Sequence, residues 1–290
     1  MIWNLGSINL DNFYQLPHLP GAGETIAATD YRQGLGGKGA NMSVAAARAA
    51  ARVMHIGAVG ADGIWARDRL LEYGVEVQHI AKVSAATGHA NINVDASGEN
   101  NIVLFPGANI QITEQMIGAA LTEASPGHWL LMQNETCGQI YAAQTARTLG
   151  LKVAYAAAPF DADAVTAVLD YVDLLVLNAV EAAQLRDVTG LELADLPVAD
   201  IVVTLGSDGC QWVSNTHNRV ENYPAYPVQA VDTTGAGDTF TGYLIASLDR
   251  GLPMSDAIDL AMRAGALMVM RHGTADVIPD LKDIQDHDFS

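Results

Sequence analysis

Asp232-Thr-Thr-Gly235-Ala-Gly-Asp238-Thr-Phe240-Thr-Gly-Tyr243-Leu244 is a glycine-rich turn running straight into a helix. The apolar residues Phe240, Tyr243, Leu244 and Leu248 fall at i, i+3, i+4 and i+8, one face of a 3.6-residue period. Small residues at Gly235, Ala236 and Gly237 leave successive backbone N–H groups uncovered at the helix N-terminus, where the dipole favours an anion. Asp238 follows them directly. Two readings fit: a carboxylate beside an anion-binding turn, as phosphoryl transfer needs, or an Asp that caps the helix over a tight turn. Only the first accounts for three small residues ahead of the Asp.

Outward from this turn, short β-rich runs alternate with longer helical stretches. Strands are predicted at 2–8, 53–59, 129–133, 152–156, 174–178 and 201–205, and helices at 40–51, 113–124, 139–149, 162–172, 180–186, 238–249 and 255–270. This rhythm implies an α/β fold with a central, mostly parallel β-sheet flanked by helices. Residues 10–32 and 88–105 break it. In the second stretch Asn91, Asn93 and Asp95 alternate with Ile92, Val94 and Ala96, which predicts a hairpin turning around 96–100. Having no helical crossovers, the two stretches together predict a small antiparallel flap outside the main sheet. Several predicted strands also end in polar or glycine residues: Gly6–Asn9–Asp11, Gln133–Glu135, Asn178 with Glu181, and Thr204–Gly206. In open parallel sheets that edge is where ligands bind.

Three further segments carry chemistry. Gly34-Leu-Gly36-Gly37-Lys38-Gly39-Ala40-Asn41 matches G-x-G-x-x-G but follows an irregular stretch, which fits a dinucleotide turn badly, and Lys38 lacks the Ser/Thr of a P-loop. It remains a tight turn that presents one of only four lysines. Asn178 and Glu181, three apart after a Leu/Val strand, suit a Mg²⁺-water or phosphate contact and equally a capping box. Thr204-Leu-Gly206-Ser-Asp-Gly209 reads as a turn with room for a nucleotide, or as a plain hairpin turn into 210–214.

Composition narrows the partners. The 290 residues are 50% hydrophobic, enough for a sizeable core, and 15 Lys+Arg against 33 Asp+Glu give a net charge of −18. Such a surface argues against nucleic acid, whose phosphates need basic residues. Cys137 and Cys210 form neither a disulfide framework nor a metal motif and are expected as free thiols in a reducing compartment. No apolar run reaches the ~18 residues of a membrane span and no basic residue precedes Arg32, so a cytoplasmic protein without a membrane segment is expected.

Taken in order, these segments resemble the ribokinase-like family of carbohydrate kinases, the phosphofructokinase-B type, over nearly the whole chain. Gly6-Ser-Ile-Asn-Leu-Asp11 and Pro20-Gly-Ala-Gly-Glu24-Thr25 resemble its opening strand and first lid segment. Gly36–Asn41 is similar to its first signature and Asp232–Asp238 to its second. The resemblance implies one kinase domain over 1–290, with β-sheet lid segments at about 10–34 and 86–105 that also form a homodimer interface. It implies transfer of a phosphoryl group from ATP to a sugar, D-ribose at O5 first. Fructose, 2-keto-3-deoxygluconate or adenosine are alternatives, and a non-catalytic sugar sensor is a reading of a different class.

Position by position, the resemblance makes Asp238 the base on the sugar hydroxyl, with Gly235, Ala236 and Gly237 as its anion hole. Asn9, Asp11, Gly37, Lys38, Asn41 and Glu135 match sugar contacts. Asn178, Thr204, Gly206 and Gly209 match nucleotide contacts, and Glu181 the acid that organises Mg²⁺ through water. Backbone carbonyls of Asp232, Thr234, Met268, Arg271 and Gly273 match a K⁺ site. Two positions depart from the family: Met262 stands where the adenine pocket often has His or Asn, and Val277 where a Ser closes the cation site.

Overall fold

In the computed structural model, which describes residues 1–289, the chain opens with β1 (Ile2–Leu5), β2 (Asn9–Gln15), β3 (Asp30–Gly36) and α1 (Lys38–Arg48). Then follow β4 (Val53–Val59), α2 (Ile64–Glu72), β5 (Glu76–Lys82) and the hairpin of β6 (Gly88–Val94) with β7 (Asn100–Phe105). The middle of the chain is α3 (Glu114–Leu121), β8 (Trp129–Met132), α4 (Gln139–Thr148), β9 (Lys152–Ala156), α5 (Ala162–Val168), β10 (Leu174–Asn178) and α6 (Ala179–Thr189). It ends with β11 (Asp200–Thr204), β12 (Cys210–Ser214), β13 (Arg219–Tyr223), α7 (Ala236–Asp249), α8 (Met254–Val269) and α9 (Leu281–Asp286).

Nine strands form the main sheet in the order β13-β12-β11-β10-β9-β8-β1-β4-β5. All neighbours from β11 to β5 are parallel; only the pairs β11–β12 and β12–β13 are antiparallel, so β12 alone runs against the rest. β1, β4 and β8 are buried along their whole length, as strands covered on both faces must be. One core lies under α1, α7 and α8, and the other under α3 to α6. In the first, the alanines of α1 let α7 come close: a Cβ on Gly242 would sit 2.5 Å from the Ala45 methyl and 2.6 Å from the Met42 carbonyl. That approach fixes the N-terminal turns of α1 and α7 side by side.

β1 does not run on to residue 8 as predicted. It stops at Leu5, and after Gly6–Ile8 the chain re-enters a sheet as β2, in a second, four-stranded sheet ordered β3-β2-β6-β7. The outer pairs of this sheet are antiparallel, but its central pair, β2 and β6, is parallel, which corrects the wholly antiparallel flap expected from the sequence. The reason is topological. β2 continues from β1 and β6 follows β5, and both leave the same edge of a parallel sheet in the same direction. The sequence reading also missed α2, β5, β13 and α9. β5 is an edge strand, Glu76-Val-Gln-His-Ile-Ala-Lys82, with a single buried residue and so little hydrophobic pattern to see.

Candidate active site

Gly6 and Gly39 bring the site together. A Cβ on Gly39 would lie 2.3 Å from the Gly6 Cα, and one on Gly6 would lie 2.6 Å from the Gly39 Cα, so the end of β1 and the first turn of α1 cross in backbone contact. Ser7 secures the crossing: its Oγ accepts from the Gly39 N–H at 3.1 Å and donates to Glu135 Oε2 at 2.5 Å. The same Glu135 oxygen accepts the Lys38 N–H at 3.0 Å. Glu135, from the loop after β8, therefore clamps the Gly36–Gly39 turn onto the strand edge. Gly37, at φ 94°, lies where only a glycine backbone passes easily, with a Cβ there 2.9 Å from the Asn9 nitrogen.

Asp238 is buried on the first turn of α7 and accepts from Asn41 Nδ2 at 2.9 Å through Oδ2. The capping alternative fails here: the N-cap is Gly235, in the left-handed region at φ 74°, and no side chain caps this helix. The Gly235 and Gly237 N–H groups have no partner among the described residues, while that of Ala236 reaches back to Thr233 O at 3.3 Å. A Cβ on Gly237 would meet nothing within 4 Å, so open space faces this helix end. The amide oxygen of Asn41, Oδ1, is buried without a partner. Such an atom costs free energy until something donates to it.

Asp11, on β2, is buried with its carboxyl against the Gly36 Cα, where a Cβ would come within 2.0 Å of it. Burial, then the charges of Glu135 and Asp238, push its pKa up to about 7 against the pull of Arg32. Lys38 lies between the carboxylates: the charge of Asp238 holds its pKa up against burial, and Glu135 and Glu181 add to the effect. Asn9 is buried at the start of β2 and accepts from Asn109.

Along the same edge, Asn178 and Thr204 are register partners at the ends of β10 and β11. Asn178 and Glu181 do form the capping box: Glu181 N donates to Asn178 Oδ1 at 2.9 Å, and Asn178 N to Glu181 Oε2 at 2.7 Å. Each keeps one polar atom, Asn178 Nδ2 and Glu181 Oε1, with no hydrogen bond among the described residues. Burial pushes Glu181 up, opposed by the Asn178 N–H bond and Lys38. Thr204 Oγ1 donates to Leu177 O at 3.4 Å. Gly206 opens a short helical turn at φ 61°, and Gly209 lies against β13, where a Cβ would be 1.9 Å from Tyr223 O. The Gly206–Asp208 turn is thus also the hairpin turn between β11 and β12. Met262 of α8 touches Cys210, with its sulfur 3.7 Å from the thiol.

Behind the anion turn, Asp232 ties two segments together, accepting from Thr234 N at 2.9 Å and Gly273 N at 3.3 Å. Burial raises its pKa, but these N–H bonds prevail and hold it below the ordinary carboxylate value. The backbone carbonyls of Asp232, Thr234, Arg271 and Gly273 accept no hydrogen bond among the described residues, while that of Met268 takes the Arg271 N–H at 3.1 Å. Val277 lays its two methyls over Gly273, 3.4 Å from where a Cβ would be.

Sequence reasoning missed a second layer, of which only Gln133 was noted, as a polar strand end. Asn4, Ser43, His55 and Gln133 are wholly buried beneath the crossing. Burial lowers the His55 pKa to about 4, so the ring is neutral. Its Nε2 lies 3.0 Å from Gly6 O and must carry the proton, so Nδ1 accepts from Ser43, whose Oγ accepts from Asn4 Nδ2 at 2.8 Å. Asn4 Nδ2 also donates to Gly39 O at 2.8 Å. A polar residue inside the apolar run Ile2-Trp3-Asn4-Leu5 was the available signal.

The pfkB family carbohydrate kinase model matches residues 3–281. The chain is 35% identical to the ribokinase of Haemophilus influenzae, over 95% of this chain and 94% of that protein. Ribokinase of Cryptococcus neoformans var. grubii in complex with ADP superposes with a TM-score of 0.87 at 30% identity, covering 98% of each chain. Arabidopsis thaliana ribokinase complexed with ribose and ATP gives 0.85 at 26% identity, covering 98% of this chain and 97% of that one. The chain belongs to the pfkB family of carbohydrate kinases. No helix among the described residues is long and apolar enough to cross a membrane.

Asp11 makes a testable claim about the folded chain. Its pKa near 7 when folded exceeds the 3.8 of an unperturbed Asp, so between these values the folded state holds a proton that the unfolded chain lacks. The stability this carboxyl contributes is full below the lower value and is lost as pH rises through about 7, at up to ~1.4 kcal/mol per unit. Asp11→Asn is therefore expected to be more stable than the wild type at pH 8, with the gap closing toward pH 5. Urea unfolding at both pH values checks this, and a gap independent of pH would refute it.

Proposed function

We propose that the chain transfers the γ-phosphoryl group of ATP to the O5 hydroxyl of D-ribose, working as a cytoplasmic enzyme. Sugar phosphorylation by ATP is the activity of its family, and the near full-length ribokinase relatives point to ribose. The observation that carries the reading is the bond from Asn41 to Asp238 at the open N-terminus of α7, with Asp11 and Glu135 near enough to act on one another's charge and Asn9 two residues before Asp11 on β2. These are hydroxyl-binding groups, and a nucleoside base would instead need an apolar slot.

Asp238 accepts the O5 proton through Oδ1 while Asn41 holds Oδ2. The new bond joins O5 to the γ-phosphorus, the bond to the β-phosphate oxygen breaks, and ADP leaves. The N–H groups of Gly235, Ala236 and Gly237 and the dipole of α7 face the charge on the transferring oxygens. Lys38, with its charge maintained by Asp238, Glu135 and Glu181, lies between sugar and phosphates. Asn178, Thr204, Gly206 and Gly209 line the nucleotide side, with Gly37 under the sugar. Glu181 fits Mg²⁺ held through water, since one of its carboxylate oxygens is uncommitted, and the ion would neutralise phosphate charge. The second sheet acts as a lid that keeps water from the acceptor.

Asp238→Asn is expected to lower kcat at least ~10²-fold, the scale of general-base catalysis, with the fold retained. In a panel of D-ribose, fructose, adenosine and 2-keto-3-deoxygluconate, ribose should have the highest kcat/KM. A better substrate among the others would overturn the ribose reading.

The lid is also proposed as the interface of a homodimer. β7 is an edge strand with all six residues exposed, Val103 at 62%, and Ile102 to Phe105 make it apolar. An unpaired apolar edge seeks a partner strand. Light scattering should give twice the chain's mass at micromolar concentration, and a monomer would refute the pairing.

The four unused carbonyls of Asp232, Thr234, Arg271 and Gly273, with that of Met268, suit a hard monovalent cation such as K⁺. Where a hydroxyl could complete the set, Val277 offers methyls. Activation by K⁺ is expected to be shallow and to need less salt in Val277→Ser. Titration with KCl against choline chloride at constant ionic strength checks this; equal midpoints would show that the valine carries no meaning.

A further inference from the structure

The chain returns from the second sheet through a 3-10 turn, Gly107–Gln111, and within it Asn109 is 1% exposed. Asn109 Oδ1 accepts the Ile8 N–H at 2.9 Å, and its Nδ2 donates to Asn9 Oδ1 at 2.8 Å. The orientation of both amides follows from one backbone group. An N–H can only donate, so the Asn109 atom that meets Ile8 is oxygen and the other end is NH₂. The Asn9 atom facing that NH₂ must then be its carbonyl oxygen. Asn9 is 3% exposed, and its own NH₂ makes no hydrogen bond among the described residues. Gly88 gives the two amides room to meet: a Cβ there would lie 2.2 Å from Asn109 Nδ2 and 2.5 Å from Asn9 Oδ1.

We infer that Asn109 is a positioning residue that fixes the Asn9 amide so that Asn9 offers the sugar a donor and not an acceptor. This rests on the proposed reading of Asn9 as a sugar contact. The polarity matters because, apart from the Lys38 ammonium, the groups proposed to face the same sugar are mainly acceptors: the carboxylate of Asp238, that of Asp11 once it has lost its proton, and the unpartnered Asn41 Oδ1. A sugar hydroxyl that donates to one of these still has lone pairs to satisfy. The Asn9 NH₂ meets that need. With the amide turned over, its oxygen would add another acceptor to an acceptor-rich pocket.

The test is a set of sugar dissociation constants from calorimetry, with melting temperatures alongside. Asn109→Asp keeps an acceptor for Ile8 N–H and removes the donor to Asn9, so sugar binding should weaken about tenfold. Asn9→Asp keeps the bond from Asn109 but presents an acceptor to the sugar, and should weaken binding at least as much. In an Asn9→Ala background, Asn109→Asp should add less than twofold, since its effect runs through Asn9. Wild-type affinity in Asn9→Asp would show that the carbonyl faces the sugar and would overturn the inference. So would a loss from Asn109→Asp that multiplies in full in the Asn9→Ala background. If Asn109→Asp does not fold, Asn9→Asp decides alone. The measurements use whichever sugar the kinetic panel ranks first, so failure of the ribose reading is seen separately from failure of this one.

Discussion

The close passage of Gly6 over Gly39 is the constraint on which the site depends. Neither position has room for a Cβ, and the crossing places the end of β1 against the first turn of α1. The turn that carries Lys38 and Asn41 is referred to that point. Ser7 and Glu135 clamp the turn from one side, and Asn4, Ser43 and His55 support it from below. Overpacking a well-filled interior costs about 1–3 kcal/mol. Here the displaced atoms are backbone, with no flexible side chain to give way, so an added methyl would move Lys38 and Asn41 together.

The crossing is stabilised by polar groups where a core would ordinarily be apolar. Asn4, Ser43 and His55 have no access to water and find their partners within the protein, while Gln133 donates to Asn4 Oδ1 and leaves its own Oε1 unpaired. A neutral His55 makes the chain of donors run in one direction, from Asn4 to Ser43 to the ring and on to Gly6. A protonated ring could not accept from Ser43. Burial therefore secures the hydrogen-bond order that holds the turn, and the depressed pKa follows from the same cause.

The strand–helix rhythm and the edge on which the polar strand ends collect were legible in the chain, because fully buried parallel strands write themselves as short apolar runs. Val53–Val59, Lys152–Ala156 and Leu174–Asn178 are found at the predicted residues. β5 was not legible, since an edge strand packs on one side only and keeps little pattern. The parallel pairing of β2 with β6 was hidden for another reason: it is fixed by where two connections leave the main sheet and by nothing local in either strand. For Asn178 and Glu181 the structure realises the capping box while leaving an atom of each uncommitted, so the two readings were never exclusive. Asn109 was invisible because its role lies in contacts a hundred residues back along the chain.

Around one ammonium, Lys38, the fold gathers Asp238, Glu135 and Glu181, and Asp11 lies beside Glu135 and Asp238. Four carboxyls against one cation is an unfavourable cluster for a closed core, since a buried like charge raises the cost of each neighbour. Asp11 bears that cost as a raised pKa, being buried with no donor of its own among the described residues. Asp238, Glu135 and Glu181 each take protein donors on one oxygen only, which leaves acceptor capacity that hydroxyl donors suit. The N-terminus of α7 offers uncommitted N–H groups in place of carboxylates. The electrostatics thus separates a carboxylate-rich side from an N–H-rich side, and Asp238 and Lys38 stand on the boundary.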